Sequence, residues 1–161
     1  MSIREQTACF TGHRVVNETD IPGLHQKLDV ILSRLVDNGV IYWGNGGCRG
    51  YDFISALAVM RARNIYPFIK LIMVLPCYNQ EKLWNTEDKR IYSHLLESAD
   101  KVVYVSKEPY FDGCMIKRNL YLIQHSSACV AYMKYEKSGT SQTVRLAREH
   151  GLTVFNIATE L

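Results

Sequence analysis

Apolar and polar positions alternate along this chain in a repeating order. A short apolar run ends at a glycine or proline, and a stretch with apolar residues three and four apart follows. The first run is Thr7-Ala8-Cys9-Phe10-Thr11, stopped by Gly12. Leu24, Leu28, Ile31, Leu32 and Leu35 then mark one face of a helix. Asp20 is predicted to cap its start and Asn38-Gly39 to end it. Val40-Ile41-Tyr42-Trp43 predicts a second strand, and an alanine- and leucine-rich helix runs from Tyr51 to about Asn64. A third strand, 69–75, closes at Pro76, and a helix is predicted from about Trp84 to Ser98. The fourth strand is 101–105, followed by a helix striped with Met115, Ile116, Leu120 and Ile123. Strand 128–133, a helix opened by Ser138-Gly139-Thr140, and strand 152–157 complete the pattern.

Regular alternation of apolar strands with helices predicts an α/β fold. The expected form is Rossmann-like, a mostly parallel sheet of about six strands with helices on both faces. One such domain is expected over residues 1–161, because the chain shows no repeat, linker or low-complexity tract. Right-handed crossovers gather every strand-to-helix loop on one edge of the sheet, where ligands of such folds bind. The residues just after strands are therefore the candidates for chemistry.

Four of those loops carry suitable side chains. After the first strand come Gly12, His13 and Arg14: a close backbone approach, a titratable ring and a planar fork of donors for phosphate. After the second come Gly44, Gly46, Gly47 and Gly50, with Arg49 and Asp52 among them. Strand, glycine turn and helix start together predict an anion site built of free N–H groups. It is not the dinucleotide fingerprint, since Arg49 stands where the last glycine would be, and no Walker lysine is present. Arg118 and Asn119 form a polar pair on an otherwise apolar helix, and Ser138, Gly139 and Thr140 place small residues at a helix start. Trp84 is a candidate for stacking on a base, although an aromatic residue there also serves as packing.

Composition narrows the picture. Apolar residues make up 47% and charged residues 22% of the chain, and the formal net charge is +3. That charge is too small to indicate nucleic-acid binding without a local patch. No stretch is long enough to span a membrane, and the start of the chain lacks a signal peptide's apolar core. The five cysteines are scattered without a Cys-x-x-Cys pair, which predicts free thiols in the cytoplasm and argues for neither a disulfide nor a metal. No motif indicates a bound cofactor.

Cys9-Phe10-Thr11-Gly12-His13-Arg14 and Gly46-Gly47-Cys48-Arg49-Gly50-Tyr51-Asp52 resemble the YpsA-like family of bacterial and phage proteins. Gln80, Trp84, Ala99-Asp100, Tyr110, Arg118-Asn119 and Ser138-Gly139-Thr140 with Thr143-Val144 match in order, so the resemblance spans nearly the whole chain. The family belongs to the SLOG superfamily, which joins DNA-processing DprA proteins to the LOG phosphoribohydrolases. The resemblance implies a Rossmann-like fold and the binding of nucleotides or nucleotide-derived signals. LOG enzymes carry Pro-Gly-Gly-x-Gly-Thr-x-x-Glu with a catalytic glutamate. Ser138-Gly139-Thr140-Ser141-Gln142-Thr143 has neither the preceding proline nor the glutamate, so the resemblance does not extend to that catalyst.

Three readings follow. The first is a module that binds or senses a nucleotide or ADP-ribose-like small molecule. Gly46, Gly47, Gly139 and Thr140 would contact it, and Arg14, Arg49 and Arg118 would balance its charge. The second is a nucleotide-processing hydrolase using His13, Asp52 or Asp100 as acid–base groups. The third is a DprA-like binder of single-stranded DNA, the least favoured because Lys82, Lys89-Arg90, Lys101, Lys107 and Lys117-Arg118 are scattered. A sheet edge or apolar helix face leaves room for a homo-oligomer.

Overall fold

The computed structural model describes residues 1–159. Strands β1 (Thr7–Gly12), β2 (Tyr42–Asn45), β3 (Lys70–Leu75), β4 (Lys101–Tyr104), β5 (Ala128–Tyr132) and β6 (Thr153–Asn156) alternate with five helices. These are α1 (Ile21–Asp37), α2 (Tyr51–Arg63), α3 (Thr86–Ser98), α4 (Cys114–Gln124) and α5 (Gly139–Glu149). All strand pairs are parallel, in the order β4-β3-β2-β1-β5-β6. The fold is α/β and Rossmann-like, as the alternation predicts.

The pleat divides the core. Ala8, Phe10, Trp43, Leu71, Met73 and Val130 pack with the buried faces of α1, α2 and α3, while Cys9, Val74 and Cys129 pack with Leu122, Val144 and Ala147 of α4 and α5. Helices therefore cover both faces of the sheet. The strand order reverses between β1 and β5, so the crevice lies beyond their C-terminal ends. Beneath it, Phe10 stacks on Trp43 and Tyr51 on Tyr132, with centroids 5.7 and 5.8 Å apart. The Tyr51 hydroxyl donates to the Val130 carbonyl at 3.0 Å, fastening the start of α2 to β5.

Four local expectations are corrected. Strand β2 starts at Tyr42 and takes in Gly44 and Asn45, because Val40 N–H closes the end of α1 onto Leu35 instead. Asp20 precedes α1 but does not cap it: its backbone is already helical, and its carboxylate accepts from Tyr132 Oη and Lys134 Nζ at 2.6 and 2.7 Å. Helix α3 begins at Thr86, where Asn85 Oδ1 accepts the Asp88 N–H, so Trp84 lies in the preceding loop. On α4 the inward stripe is Cys114, Arg118, Leu122 and Ile123, with Ile116 exposed; a buried arginine occupies a place the apolar pattern gave to its neighbours.

Candidate functional site

A cavity of about 570 Å³ opens at the β1/β5 crevice, between the first turns of α4 and α5. It brings together Gly12, His13 and Arg14 from the first loop, Asp52 from α2, Arg118 and Asn119 from α4, and Ser138, Gly139 and Thr140 from the last. A second cavity of about 330 Å³ adjoins it and holds Arg49 and Trp84. Arg14, Cys48 and Met115 line both.

Gly46 and Gly47 line neither cavity. The Gly44–Gly50 loop is closed rather than open to an anion. Gly47 N–H donates to Asn45 Oδ1, Cys48 N–H to Asp52 Oδ2, and Tyr51 N–H to the His13 carbonyl. Close packing is what requires glycine here. A Cβ on Gly12 would lie 2.3 Å from the Tyr51 ring, and one on Gly46 would lie 2.4 Å from the Arg118 guanidinium. Backbone of the first loop thus covers the start of α2, the helix terminus that sequence favoured for anion binding.

The start of α5 is the open one. Ser138 and Ser141 form a reciprocal capping box, Ser138 Oγ accepting the Ser141 N–H and Ser141 Oγ the Ser138 N–H, each at 3.1 Å. The Gly139 and Thr140 N–H groups take no partner among the described residues. Nothing stands within 4 Å of where a Gly139 side chain would begin. Two free donors at the positive end of a helix dipole therefore belong to residues that line the cavity. Thr143 and Asn119 brace this turn, Thr143 Oγ1 donating to the Gly139 carbonyl and accepting from Asn119 Nδ2.

Charge is distributed unevenly. Arg14 is exposed, and its guanidinium makes no hydrogen bond among the described residues. Arg118 is 4% exposed and already engaged: Nε donates to Asn119 Oδ1 at 2.8 Å, Nη1 to the Gly46 carbonyl, and Nη2 to the sulfurs of Cys48 and Met115. It is a fixed cation in the floor, with two donations ending on weak sulfur acceptors. Burial pushes the Asp52 carboxyl up to about 6, against the opposing pull of Arg118, the Cys48 amide and Arg14. Asp52 Oδ1 takes no hydrogen bond among the described residues, so the cavity is its outlet.

Desolvation lowers the pKa of His13, favouring the neutral ring. Its Nε2 accepts the Lys134 N–H at 2.9 Å, which leaves the proton on Nδ1 and makes the ring a donor in this hydrogen-bond network. Trp84 meets Phe53 and Tyr92 edge to face, and the Arg49 guanidinium sits 5.3 Å above its ring. Asp100 lies elsewhere, accepting from Leu71 N–H and Arg63, and lines neither cavity. The sequence reading missed Cys48 and Met115 at the junction, Asn79 and Leu83 of the smaller cavity, and Tyr135, whose ring lies 5.0 Å from His13. Loop length before α5 gave no sign that Tyr135 folds back. Among the described residues no three of His, Cys, Asp and Glu are grouped to hold a metal, and no helix is long and apolar enough to cross a membrane.

Known proteins place this geometry in context. The family model YpsA, described as the YspA SLOG family, matches residues 11–151. An uncharacterised SPbeta prophage-derived protein, YoqJ, of Bacillus subtilis is 30% identical over 138 residues, covering 78% of this chain and 81% of its own length. A UPF0398 protein of Bacillus pumilus is 27% identical over 125 residues, covering 77% and 67%. The solved structure of DNA processing protein A from Streptococcus pneumoniae superposes with a TM-score of 0.69 at 15% identity, over 96% of this chain and 50% of that one. Its counterpart from Helicobacter pylori, described for its single-stranded DNA binding mode, gives 0.65 at 20% identity, over 95% and 65%. The chain thus spans between half and two thirds of those two proteins, and at such identities they establish the shared fold. With residues 11–151 matched, from the end of β1 to just past α5, this chain belongs to the YpsA family of SLOG proteins.

Proposed function

We propose that this protein binds a phosphate-bearing, nucleotide-type small molecule in the cavity at the β1/β5 crevice. One observation carries the reading: the unpartnered Gly139 and Thr140 N–H groups belong to residues that line a 570 Å³ cavity that also holds the unpaired Arg14. Phosphate sits on the two amides, Arg14 closes over it, and His13 Nδ1–H and Asn119 supply neutral polar contacts. Arg118 acts from beneath, through its charge. Gly46 and Gly47 act by holding Arg118 and the loop in place. The five thiols are all free and buried, in keeping with a reducing, cytoplasmic setting.

A hydrolase reading is favoured by one further observation, that Asp52, with its carboxyl near 6, shares the cavity with His13. His13 Nε2 is already occupied, so Asp52 is the stronger acid–base candidate. Single-stranded DNA is a competing ligand by analogy with the Helicobacter pylori protein. Against it, Arg118 is buried and Arg90 is paired with Glu87, so neither extends a basic track.

Thermal-shift measurements with AMP, ADP, ADP-ribose and a thymidylate hexamer test the proposal. A ligand at a hundred times its Kd adds about 2.7 kcal/mol, or roughly 5–10 °C for a chain of this size. The expected result is a shift with a nucleotide that Arg14→Ala abolishes. A shift with the hexamer alone, lost on adding salt, would overturn it.

A further inference from the structure

The two cavities are separate in volume but not in surface, since they meet along Arg14, Cys48 and Met115. Each is of the size that holds a small ligand or a sizeable part of one, roughly 300–1,000 Å³. Their chemistry differs. The larger offers the α5 amides and suits phosphate. The smaller is walled by Trp84 and by Tyr110 and Leu83, which are 56% and 92% exposed, with Arg49 and Lys82 beside them. Large exposed apolar side chains gathered with cations at a cavity mouth form a surface suited to a planar, electron-rich ring.

This second wall is built, not incidental. Tyr78 N–H donates to the Glu108 carbonyl at 3.2 Å and Tyr110 N–H to Asn79 Oδ1 at 2.9 Å, joining the loops after β3 and β4. Behind them the buried Gln80 donates to both the Gly46 carbonyl and Tyr92 Oη, at 3.1 and 3.0 Å. The guanidinium of Arg49 already lies over Trp84, presenting a flat cationic face on which a base can stack.

Resting on the proposed nucleotide site, we infer that the ligand has two ring-bearing units. One nucleoside occupies the larger cavity and a second aromatic ring lies against Arg49, Trp84 and Tyr110. The phosphates between them cross at Arg14. The fitting class is a free pyrophosphate-linked dinucleotide rather than a mononucleotide. A strand of nucleic acid calls for a longer cationic lining than these cavities offer, whose cations are Arg14, Arg49 and Lys82 beside the buried Arg118.

Calorimetric titration with ADP, with NAD as the dinucleotide probe, and with a thymidylate hexamer tests this. NAD is expected to bind at least about tenfold more tightly than ADP, the gain one stacked ring brings. Tyr110→Ala, on the surface, is expected to reduce that advantage while leaving ADP affinity within about twofold, and Arg49→Ala to weaken NAD binding by a larger factor than ADP binding. Trp84 emission should change with NAD and not with ADP, the other tryptophan, Trp43, being fully buried. ADP binding without an NAD advantage, or an advantage untouched by both substitutions, overturns the inference and spares the nucleotide site. Tighter binding of the hexamer than of NAD overturns it in favour of a strand, and failure of every nucleotide removes site and inference together.

Discussion

Arg118 donates through Nη1 to the carbonyl of Gly46, seventy-two positions earlier in the chain, and leaves no space for a side chain there. Each residue explains the other. The glycine lets a guanidinium lie against the loop, and the guanidinium fixes the loop that shapes both cavities. Gly46→Ala is expected to displace Arg118 from its acceptor and cost about 2–4 kcal/mol of stability, measured by urea denaturation. Arg118→Ala should cost a similar amount, and the double variant clearly less than the sum, because the two losses are one.

Asp52 gives the protein a pH dependence of definite sign. Its carboxyl is raised in the folded state to about 6 from an ordinary value of 3.8, because burial disfavours the charged form. Stability from this group is therefore fully present below about pH 4 and lost as pH rises through 6, a change on the order of 3 kcal/mol. Asp52→Asn, which can still accept the Cys48 N–H, should flatten the stability curve between pH 4 and 7 in chemical denaturation.

The same carboxyl faces the ligand cavity, so anion binding should strengthen on acidification. With a pyrophosphate diester, whose charge does not change near pH 6, the affinity is expected to be several-fold higher at pH 5.5 than at pH 8. Asp52→Asn should bind at pH 8 as the native chain does at 5.5. A phosphate monoester would confuse the result, because its own second ionisation falls near 6.

Gly139 separates binding from stability. Space around it is open, so Gly139→Asp meets no steric barrier and places a carboxylate at a helix start, where it is favourable by about 0.3–1 kcal/mol. The melting temperature is expected to hold or rise. Affinity for ADP is expected to fall at least about tenfold, since the new charge occupies the phosphate position.

The parallel, helix-covered sheet was readable because strand–helix alternation leaves few other architectures, while the order of its strands was not written in the pattern. What the sequence hid was which backbone groups were already spent. Gly44, Gly46, Gly47 and Gly50 looked like an open anion loop, yet the N–H groups of Gly47, Cys48 and Tyr51 close on Asn45, Asp52 and the His13 carbonyl. Those acceptors come partly from a loop some forty residues away, and spacing along the chain carries no trace of them. Ser138-Gly139-Thr140 were legible as candidates, but the sequence ranked them below the glycine loop, because the cap itself is ordinary and only the open space above Gly139 distinguishes it. Asp20 and Ile116 show the same limit at smaller scale: a good cap residue is diverted to Tyr132 and Lys134, and an apolar residue is turned outward by a buried arginine two positions on.

The most direct test of the central claim is a proton–nitrogen correlation titration with ADP, following the backbone amides of Gly139 and Thr140 and the side chain of Arg14. The expected result is saturable downfield movement of both amides, with Arg14 Nε moving at the same ligand concentration. Saturable binding that leaves those three signals in place, with shifts confined to other elements, would contradict the account.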